Sequence, residues 1–152
     1  MLAVPSVGAF TDATLIDDFT RANEDPLAFG GQWSGPIIST QTARMTVVSN
    51  AAVKNGTAGD GSAWWNVTTF AADVAVSSTV PDATGSTGTS LGLLVRVASP
   101  NVATSTDGYE CTFLPNDASN SVRIRRLDNS SFTAALGQTS AFEVNDGHKI
   151  GC

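Results

Sequence analysis

The stretch that decides the fold is Ser90–Phe113, SLGLLVRVASPNVATSTDGYECTF. Its two ends, Leu91–Ala98 and Tyr109–Phe113, repeat apolar residues at every second position, which is the period of a β-strand. The polar loop Ser99–Gly108 separates them, so we predict that they pair as adjacent antiparallel strands. Each strand would turn one apolar face inward, as the central strands of a β-sandwich do.

Strand-like segments continue on both sides of this pair. They are Leu15–Phe19, Ile37–Thr40, Ala43–Ser49, Ala51–Lys54, Ala63–Asn66, Thr69–Val80, Val122–Leu127, Phe132–Leu136 and Ala141–Val144. Turns rich in Gly, Asn, Asp and Ser separate them at a spacing typical of β-sandwiches, so we predict an all-β, two-sheet antiparallel sandwich. The residues expected to be buried in it are Trp33, Phe70, Val74, Leu93, Val95, Tyr109, Phe113 and Ile124.

Length and charge narrow the classes of function. The chain has 152 residues, 14% of them charged, and a net charge of −6. This length fits one domain, which we place at 15–152 after an irregular lead-in at 1–14. Nucleic acid is not expected as a partner, because phosphate binding needs a clustered basic surface. A membrane is not expected either, because no segment of the sequence is long and apolar enough to span one.

Both ends of the sequence suggest hypotheses about the natural protein. The first residues, MLAVPSVGAF, have neither a basic leader nor an apolar segment of signal-peptide length, which predicts a protein made in a cytosol and left there unless lysis or a fused leader releases it. At the other end Asn145-Asp146-Gly147 predicts a turn, and His148–Cys152 predicts the start of a strand with Ile150 inward. A strand that stopped there would leave an uncovered edge, so we interpret Cys152 as the point of truncation of a longer protein.

The two cysteines are too few for a disulfide framework. Cys111 lies on the inward face of its predicted strand, which predicts a buried free thiol, and the state of Cys152 is left open. His148 is the single histidine. With these cysteines it forms neither a credible nucleophile pair nor a zinc site.

Catalysis is not expected. A glycosidase of this architecture would carry carboxylates that alternate on one strand face, and the sequence has no such run. Asp17 and Asp18 are adjacent, so on a strand they would point to opposite faces. Arg96 is expected to pair with Glu110 across the central strands, which is a structural role.

The segment Asp17–Trp33 begins with DDFTRA and continues through Pro26-Leu27 to the tryptophan. In this it resembles the opening of the concanavalin A-like, laminin-G-like jelly rolls, whose members tend to begin D-D-F-x-R-A. Further similarities lie in the segments Asp73–Val76, Gly92–Arg96, Gly108–Glu110 and Gly147–Ile150. The resemblance implies a jelly-roll sandwich, in a family whose pattern continues through more strands than this chain has.

Jelly rolls of this kind are frequent in structural proteins of tailed bacteriophages and in secreted bacterial proteins that handle polysaccharide. With no export signal in the sequence, the resemblance implies a structural or adhesive module on a virion surface. The first hypothesis is a minor tail protein that contacts other virion proteins, as an oligomer, or cell-surface polysaccharide. The alternatives are a capsid decoration protein and a carbohydrate-binding module of a secreted bacterial protein.

Trp64 and Trp65 form the first candidate binding site. Because they are adjacent on a predicted strand, one indole would fill the core and the other would lie on the surface. An exposed indole offers a platform for a sugar ring. It could equally pack beneath the neighbouring Gly-rich loop or against another virion subunit.

Calcium is the second candidate ligand. Laminin-G-like jelly rolls often bind it through loop carboxylates and carbonyls, so the resemblance makes Asp17, Asp18 and Asp107 candidate ligands, together with Asp60. The alternative is that these carboxylates only cap turns on an acidic surface.

Overall fold

A computed structural model describes residues 14–38, 41, 43–55, 60–71, 73–80, 90–102, 104–114, 121–139 and 144–152. Within these ranges the chain forms eleven β-strands and no helix, which confirms the all-β prediction. The strands are β1 (Trp33–Ser34), β2 (Ala43–Val48), β3 (Ala51–Asn55), β4 (Gly61–Ser62), β5 (Trp64–Trp65), β6 (Ser77–Thr79), β7 (Leu91–Ala98), β8 (Asp107–Leu114), β9 (Ser121–Asp128), β10 (Ser131–Thr139) and β11 (Lys149–Gly151).

The centre of the fold is a four-stranded antiparallel sheet in the order β10-β9-β8-β7. Its middle row pairs Leu93 with Cys111 and Cys111 with Ile124. The predicted pairing of the two ends of Ser90–Phe113 is therefore confirmed. Three smaller sheets surround it, with the orders β3-β2-β4, β6-β11 and β1-β5. Apart from the parallel pair β2–β4, all described pairings are antiparallel, and the whole is consistent with a β-sandwich.

Local turn chemistry joins β9 to β10. Asn129 and Ser130 both have left-handed backbone conformations, with φ of 48° and 65°. Two such residues in a row make a tight hairpin turn whose twist matches that of the flanking strands. Two hydrogen bonds hold the turn against the start of β8: the Asn129 N–H donates to Oδ1 of Asp107, and the Ser130 N–H donates to the carbonyl of Thr106. The predicted turn after β9 is thus confirmed.

Strand β8 is buried on both faces. On one, which we call the disulfide face, Cys111 and Phe113 pack with Val80, Val144 and Ile150. On the other, which we call the Glu110 face, polar residues are buried instead. Glu110 is 8% exposed there and Thr112 is 1% exposed. The apolar period correctly predicted the first face, but it carries no signal for the polar one.

The Glu110 face also holds the second core cluster, in which Leu127 packs with Ile37 and Ile38. Gly92 of β7 lies close to the Glu110 side chain. A Cβ placed there would lie 2.5 Å from Oε1 of Glu110. Glycine at this position therefore lets the Glu110 carboxylate lie flat against β7.

The cysteine prediction is wrong. Cys111 and Cys152 form a disulfide, with Cα atoms 5.5 Å apart and a sequence separation of 41. The bond attaches the segment after β11 to the central sheet. Strand β11 pairs with β6, and Ile150 is buried in the core at 5% exposure, which confirms its predicted inward position.

Three predicted strands differ from the structure. In Ile37–Thr40 the two described residues, Ile37 and Ile38, form a bend and no strand. Leu15–Phe19 forms no strand, because the side chains of Asp17 and Asp18 accept hydrogen bonds from backbone N–H groups two residues ahead, and Phe19 takes a left-handed φ of 56°. The long strand Thr69–Val80 is reduced to β6. Its regular pairing begins only at Val76, opposite Cys152, because a strand extends no further than its hydrogen-bonded partner.

The predicted core is partly right. Phe113 is buried, and Trp33, Val74, Leu93 and Val95 are half-buried. Tyr109, Ile124 and Phe70 are exposed at 37%, 45% and 47%, contrary to the prediction. Tyr109 and Ile124 lie on the disulfide face, where the small β6–β11 sheet packs on Leu93, Cys111 and Phe113 and these two side chains are not part of the buried cluster.

Some predictions fall wholly or partly outside the described residues. They are the lead-in up to residue 13, the Gly-rich turn at 56–59, the loop at 81–89 and the strand residues 39–40 and 141–143. In the part of the chain that is described, no helix is long and apolar enough to cross a membrane.

Candidate functional site

The DDFTRA segment and Trp33 build a compact polar cluster, which we call the opening cluster. Its centre is the carboxylate of Asp17, whose side chain is 2% exposed. Oδ1 accepts a hydrogen bond of 2.7 Å from Nη1 of Arg21, and Oδ2 accepts one of 2.7 Å from the indole Nε1 of Trp33. A bend in the backbone brings these groups together, since the Phe19 N–H also donates to Oδ1.

Arg21 connects this carboxylate to the rest of the loop. Its Nε lies 3.1 Å from Oε2 of Glu24, and its guanidinium lies 4.5 Å from the ring centre of Phe29. Glu24 in turn accepts from the Phe29 N–H and bonds through its backbone to Val47 of β2. The motif therefore fastens the loop 17–33 to β2 as an ordered structure.

The environment of Asp17 changes its acidity. Burial alone would raise the pKa of the Asp17 carboxyl, but hydrogen bonds from Arg21, the Phe19 N–H and Trp33, together with the Arg21 charge, lower it below its ordinary value. The ionised form is therefore the one that the fold stabilises. Stability from this group is present above the ordinary carboxyl pKa and is lost as the pH falls through the lowered one.

We expect Asp17→Asn to lower the free energy of unfolding at pH 7 by about 1–3 kcal/mol, the range for hydrogen bonds to a buried charge. The deficit should shrink on acidification, because the wild type loses the ionised form of Asp17 and the variant has none to lose. Urea unfolding followed by circular dichroism between pH 7 and pH 2 measures both. A deficit that stays constant across this range would contradict the assignment.

The positions of Asp17, Asp18 and Asp107 do not support the calcium hypothesis. Both oxygens of Asp17 are occupied by protein donors, and Asp18 accepts from the Thr20 N–H. Asp107 belongs to the β9–β10 turn. Among the described residues no three His, Cys, Asp or Glu side chains are grouped as metal ligands would be.

The tryptophan pair is half-buried at both positions, so neither indole is the fully exposed platform that the sequence suggested. Trp65 packs edge-on against Trp33, with ring centres 5.5 Å apart. Trp64 packs against the core cluster of Ile37, Ile38 and Leu127. The two rings therefore have different neighbours, and neither stands free in solvent.

A second surface, not anticipated from the sequence, lies at the end of the central sheet where β7, β8 and β9 meet. It is an open cavity of about 360 Å³, which we call the end-of-sheet groove. Its lining combines one aromatic side chain with two arginines and two aspartates. The lining residues are Arg96, Asp107, Gly108, Tyr109, Arg126, Leu127 and Asp128.

Strand register assembles this groove. Tyr109 of β8 stands between Val95 of β7 and Arg126 of β9, its direct cross-strand neighbours. Arg126 forms an ion pair with Asp128 that is half-exposed to solvent. Oδ1 of Asp107 accepts a hydrogen bond from the Asn129 N–H. The paired strands β8 and β9 thus carry one aromatic ring, one guanidinium and two carboxylates into the groove.

Arg96 enters the groove because β7 is irregular there. The register shifts between Val95 and Ala98, and Arg96 has a left-handed φ of 54°. A bulge of this kind redirects a side chain and is frequent beside functional sites. The neighbouring Gly108 permits it, since a Cβ at that position would lie 3.3 Å from the carbonyl oxygen of Val95.

The predicted pairing of Arg96 with Glu110 is wrong for the same reason. Glu110 forms its ion pair with Arg125 of β9, whose Nε donates to Oε2 at 3.0 Å. The Thr112 hydroxyl donates to the same oxygen, and the Arg125 guanidinium lies 4.2 Å from the ring centre of Phe132. Arg125 is Glu110's direct partner in the β8–β9 register, whereas Arg96 lies in the bulge.

Cys111 and His148 do not form a nucleophile pair. Cys111 is in the disulfide and has no thiolate to offer. Nδ1 of His148 accepts a hydrogen bond from the Asn145 N–H, within the turn before β11.

Comparison of the chain with protein-family models, with curated proteins and with solved structures finds no match in any of the three.

Proposed function

We propose that this chain is a non-catalytic adhesive module, a jelly roll on the surface of a bacteriophage virion, most simply in a minor tail protein. The observation that carries the proposal is the end-of-sheet groove. It presents an exposed aromatic ring, Tyr109, among charged side chains on a rigid sheet. A site of this composition suits recognition of a polar surface ligand or of another subunit.

The disulfide supports residence outside a reducing cytosol. Disulfides persist on virion and cell surfaces and in secreted proteins, and are rare in the cytosol, where thiols are kept reduced. A chain that is made in a host cytosol and released by lysis would form the Cys111–Cys152 bond after release. The bond ties the last described strand to the central sheet. Such a covalent link makes the fold more resistant to unfolding, as a protein on an extracellular particle requires.

The same disulfide favours the second candidate, a carbohydrate-binding module of a secreted bacterial protein, because secretion also leads to an oxidising environment. A capsid decoration protein is the remaining alternative on the virion. The jelly-roll assignment within the β-sandwich rests on the resemblance of Asp17–Trp33 and the other motif segments.

The non-catalytic part of the proposal rests on the state of the reactive groups. Cys111 is oxidised, Glu110 is neutralised by Arg125, and Asp17 is neutralised by Arg21. In the groove, Asp128 pairs with Arg126 and Asp107 serves the hairpin turn. Each of these carboxylates has a structural partner.

Mass spectrometry of purified virions tests the proposal. We expect peptides of this chain to copurify with tail proteins through a density gradient, and to be enriched relative to an abundant host cytosolic protein that serves as the contamination control. Their absence from virions would overturn the virion assignment. Recovery from the medium of uninfected bacteria would instead support the secreted module.

A further inference from the structure

We propose that the end-of-sheet groove binds a neutral hexopyranose unit of a surface polysaccharide, with the ring of Tyr109 as the stacking platform. This inference deepens the adhesive part of the proposed function and rests on it. It moves the sugar site away from Trp64 and Trp65, because those indoles are half-buried against Trp33 and the core.

The first step is the platform. Tyr109 lies on β8, whose backbone is paired on both sides, with Val95 on one flank and Arg126 on the other. The residue is nevertheless 37% exposed. A tyrosine has few rotatable bonds, and one held between two neighbours loses little freedom on binding. The apolar C–H face of a pyranose ring can therefore pack on it at low entropic cost.

The second step is the polar rim. A sugar hydroxyl both donates and accepts hydrogen bonds, so its site needs acceptors and donors side by side. Asp107 supplies a carboxylate oxygen, Oδ2, since its bond to the Asn129 N–H uses Oδ1, and Arg126 supplies guanidinium N–H groups. Asp128 holds Arg126 in place, because its own two oxygens accept from Arg126 and from the Asn129 side chain. Hydrogen bonds to such charged groups are stronger than those between neutral ones. The half-exposed Arg126–Asp128 ion pair also orients its two members before a ligand arrives.

The third step is Arg96. The bulge in β7 directs it to the groove, where it lies exposed. Among the residues that the structure describes, Arg96 forms no ion pair. Its N–H groups are thus available to ring and hydroxyl oxygens of a sugar that is stacked on Tyr109.

The fourth step is charge, which decides the class of sugar. The groove has two arginines and two aspartates, so its formal charge is zero. The whole chain carries −6. A polyanion such as an acidic polysaccharide or a nucleic acid would meet no excess positive charge here and would be repelled by the rest of the surface. A neutral sugar meets neither obstacle.

The chain offers an internal reporter, since Tyr109 is its only tyrosine. Full-length protein with 3-fluorotyrosine incorporated should give one ¹⁹F resonance, which belongs to Tyr109 without any substitution. The probes are neutral gluco-, galacto- and manno-oligosaccharides, with an oligoglucuronate as the acidic arm. We expect at least one neutral oligosaccharide to shift this resonance in a saturable way, and the oligoglucuronate to leave it unchanged.

Isothermal titration with variants completes the test. For the sugar that shifts the resonance, Tyr109→Ala and Arg96→Gln should each weaken binding at least about tenfold, or 1.4 kcal/mol. Asp107→Asn keeps an oxygen for the Asn129 N–H and should weaken binding less. Phe70→Ala is the matched control, because it removes an exposed aromatic side chain that does not line the groove and should leave the affinity unchanged.

Three results would overturn the inference: no saturable ¹⁹F shift with any neutral oligosaccharide, a stronger shift with oligoglucuronate, or equal affinities for Tyr109→Ala and Phe70→Ala. The fluorine signal still decides the question if Tyr109→Ala fails to fold. Virions that contain the chain while the groove binds no sugar would refute this inference and leave the virion assignment standing. Sugar binding by a chain absent from virions would do the reverse.

Discussion

Reduction of the Cys111–Cys152 disulfide is expected to lower the free energy of unfolding by about 4 kcal/mol, the loop-entropy value for a closure of this length. The two cysteines are 41 residues apart, so the bond removes many conformations from the unfolded chain. It also clamps β11 and Ile150 onto the disulfide face, where they cover Phe113. An intact protein of this size has only about 5–15 kcal/mol of stability, so the loss is large.

Urea unfolding with and without dithiothreitol measures this effect. The double variant Cys111→Ala/Cys152→Ala should match the reduced wild type to within about 1 kcal/mol, allowing for the small change in side-chain volume. It should not respond to dithiothreitol, which makes it the control for other effects of the reductant. A wild type equally stable in both conditions would mean that the bond does not form in solution.

The substitution Arg125→Met is expected to lower the free energy of unfolding by about 3–5 kcal/mol, because it leaves the buried charge of Glu110 without its partner. Glu110 is 8% exposed, and its Oε2 receives hydrogen bonds from both Arg125 and Thr112. Gly92 lies against the same carboxylate.

The neighbouring Arg126→Met is the matched control. Arg126 also forms an ion pair, with Asp128, but that pair is about half-exposed and is worth less than about 1 kcal/mol. Equal losses for the two variants in urea unfolding would contradict a special role for the Glu110–Arg125 pair. Adding Glu110→Gln to Arg125→Met should recover part of the stability, because it removes the unpaired charge.

Local patterns predicted the elements whose causes are local. The alternation in Leu91–Ala98 and Tyr109–Phe113 predicted the central pair, and their antiparallel pairing is confirmed. The hairpin after β9 followed from turn residues that accept a left-handed backbone. Where side chains compete with strand formation, as Asp17 and Asp18 do, the same pattern predicted a strand that is not there.

Exposure was the least predictable property of the core residues. Tyr109, Ile124 and Phe70 have the right type and period for burial, yet the sheets that pack on this fold do not cover them. A period assigns a residue to a face, whereas its burial depends on how far the opposite layer extends. The end-of-sheet groove owes its aromatic ring to this difference.

The sequence by itself determined that the chain is all-β, where its central strands lie and which side chains share a face, because these follow from a two-residue period and from turn chemistry. The tertiary structure decided which distant residues meet. It joined Cys111 to Cys152 in a disulfide and formed the ion pair of Glu110 with Arg125 rather than with Arg96. It also placed Arg96 in the same groove as Tyr109. Such pairings depend on strand order, register and one bulge, which are fixed by packing across the whole fold and leave no mark in the local alternation of residues.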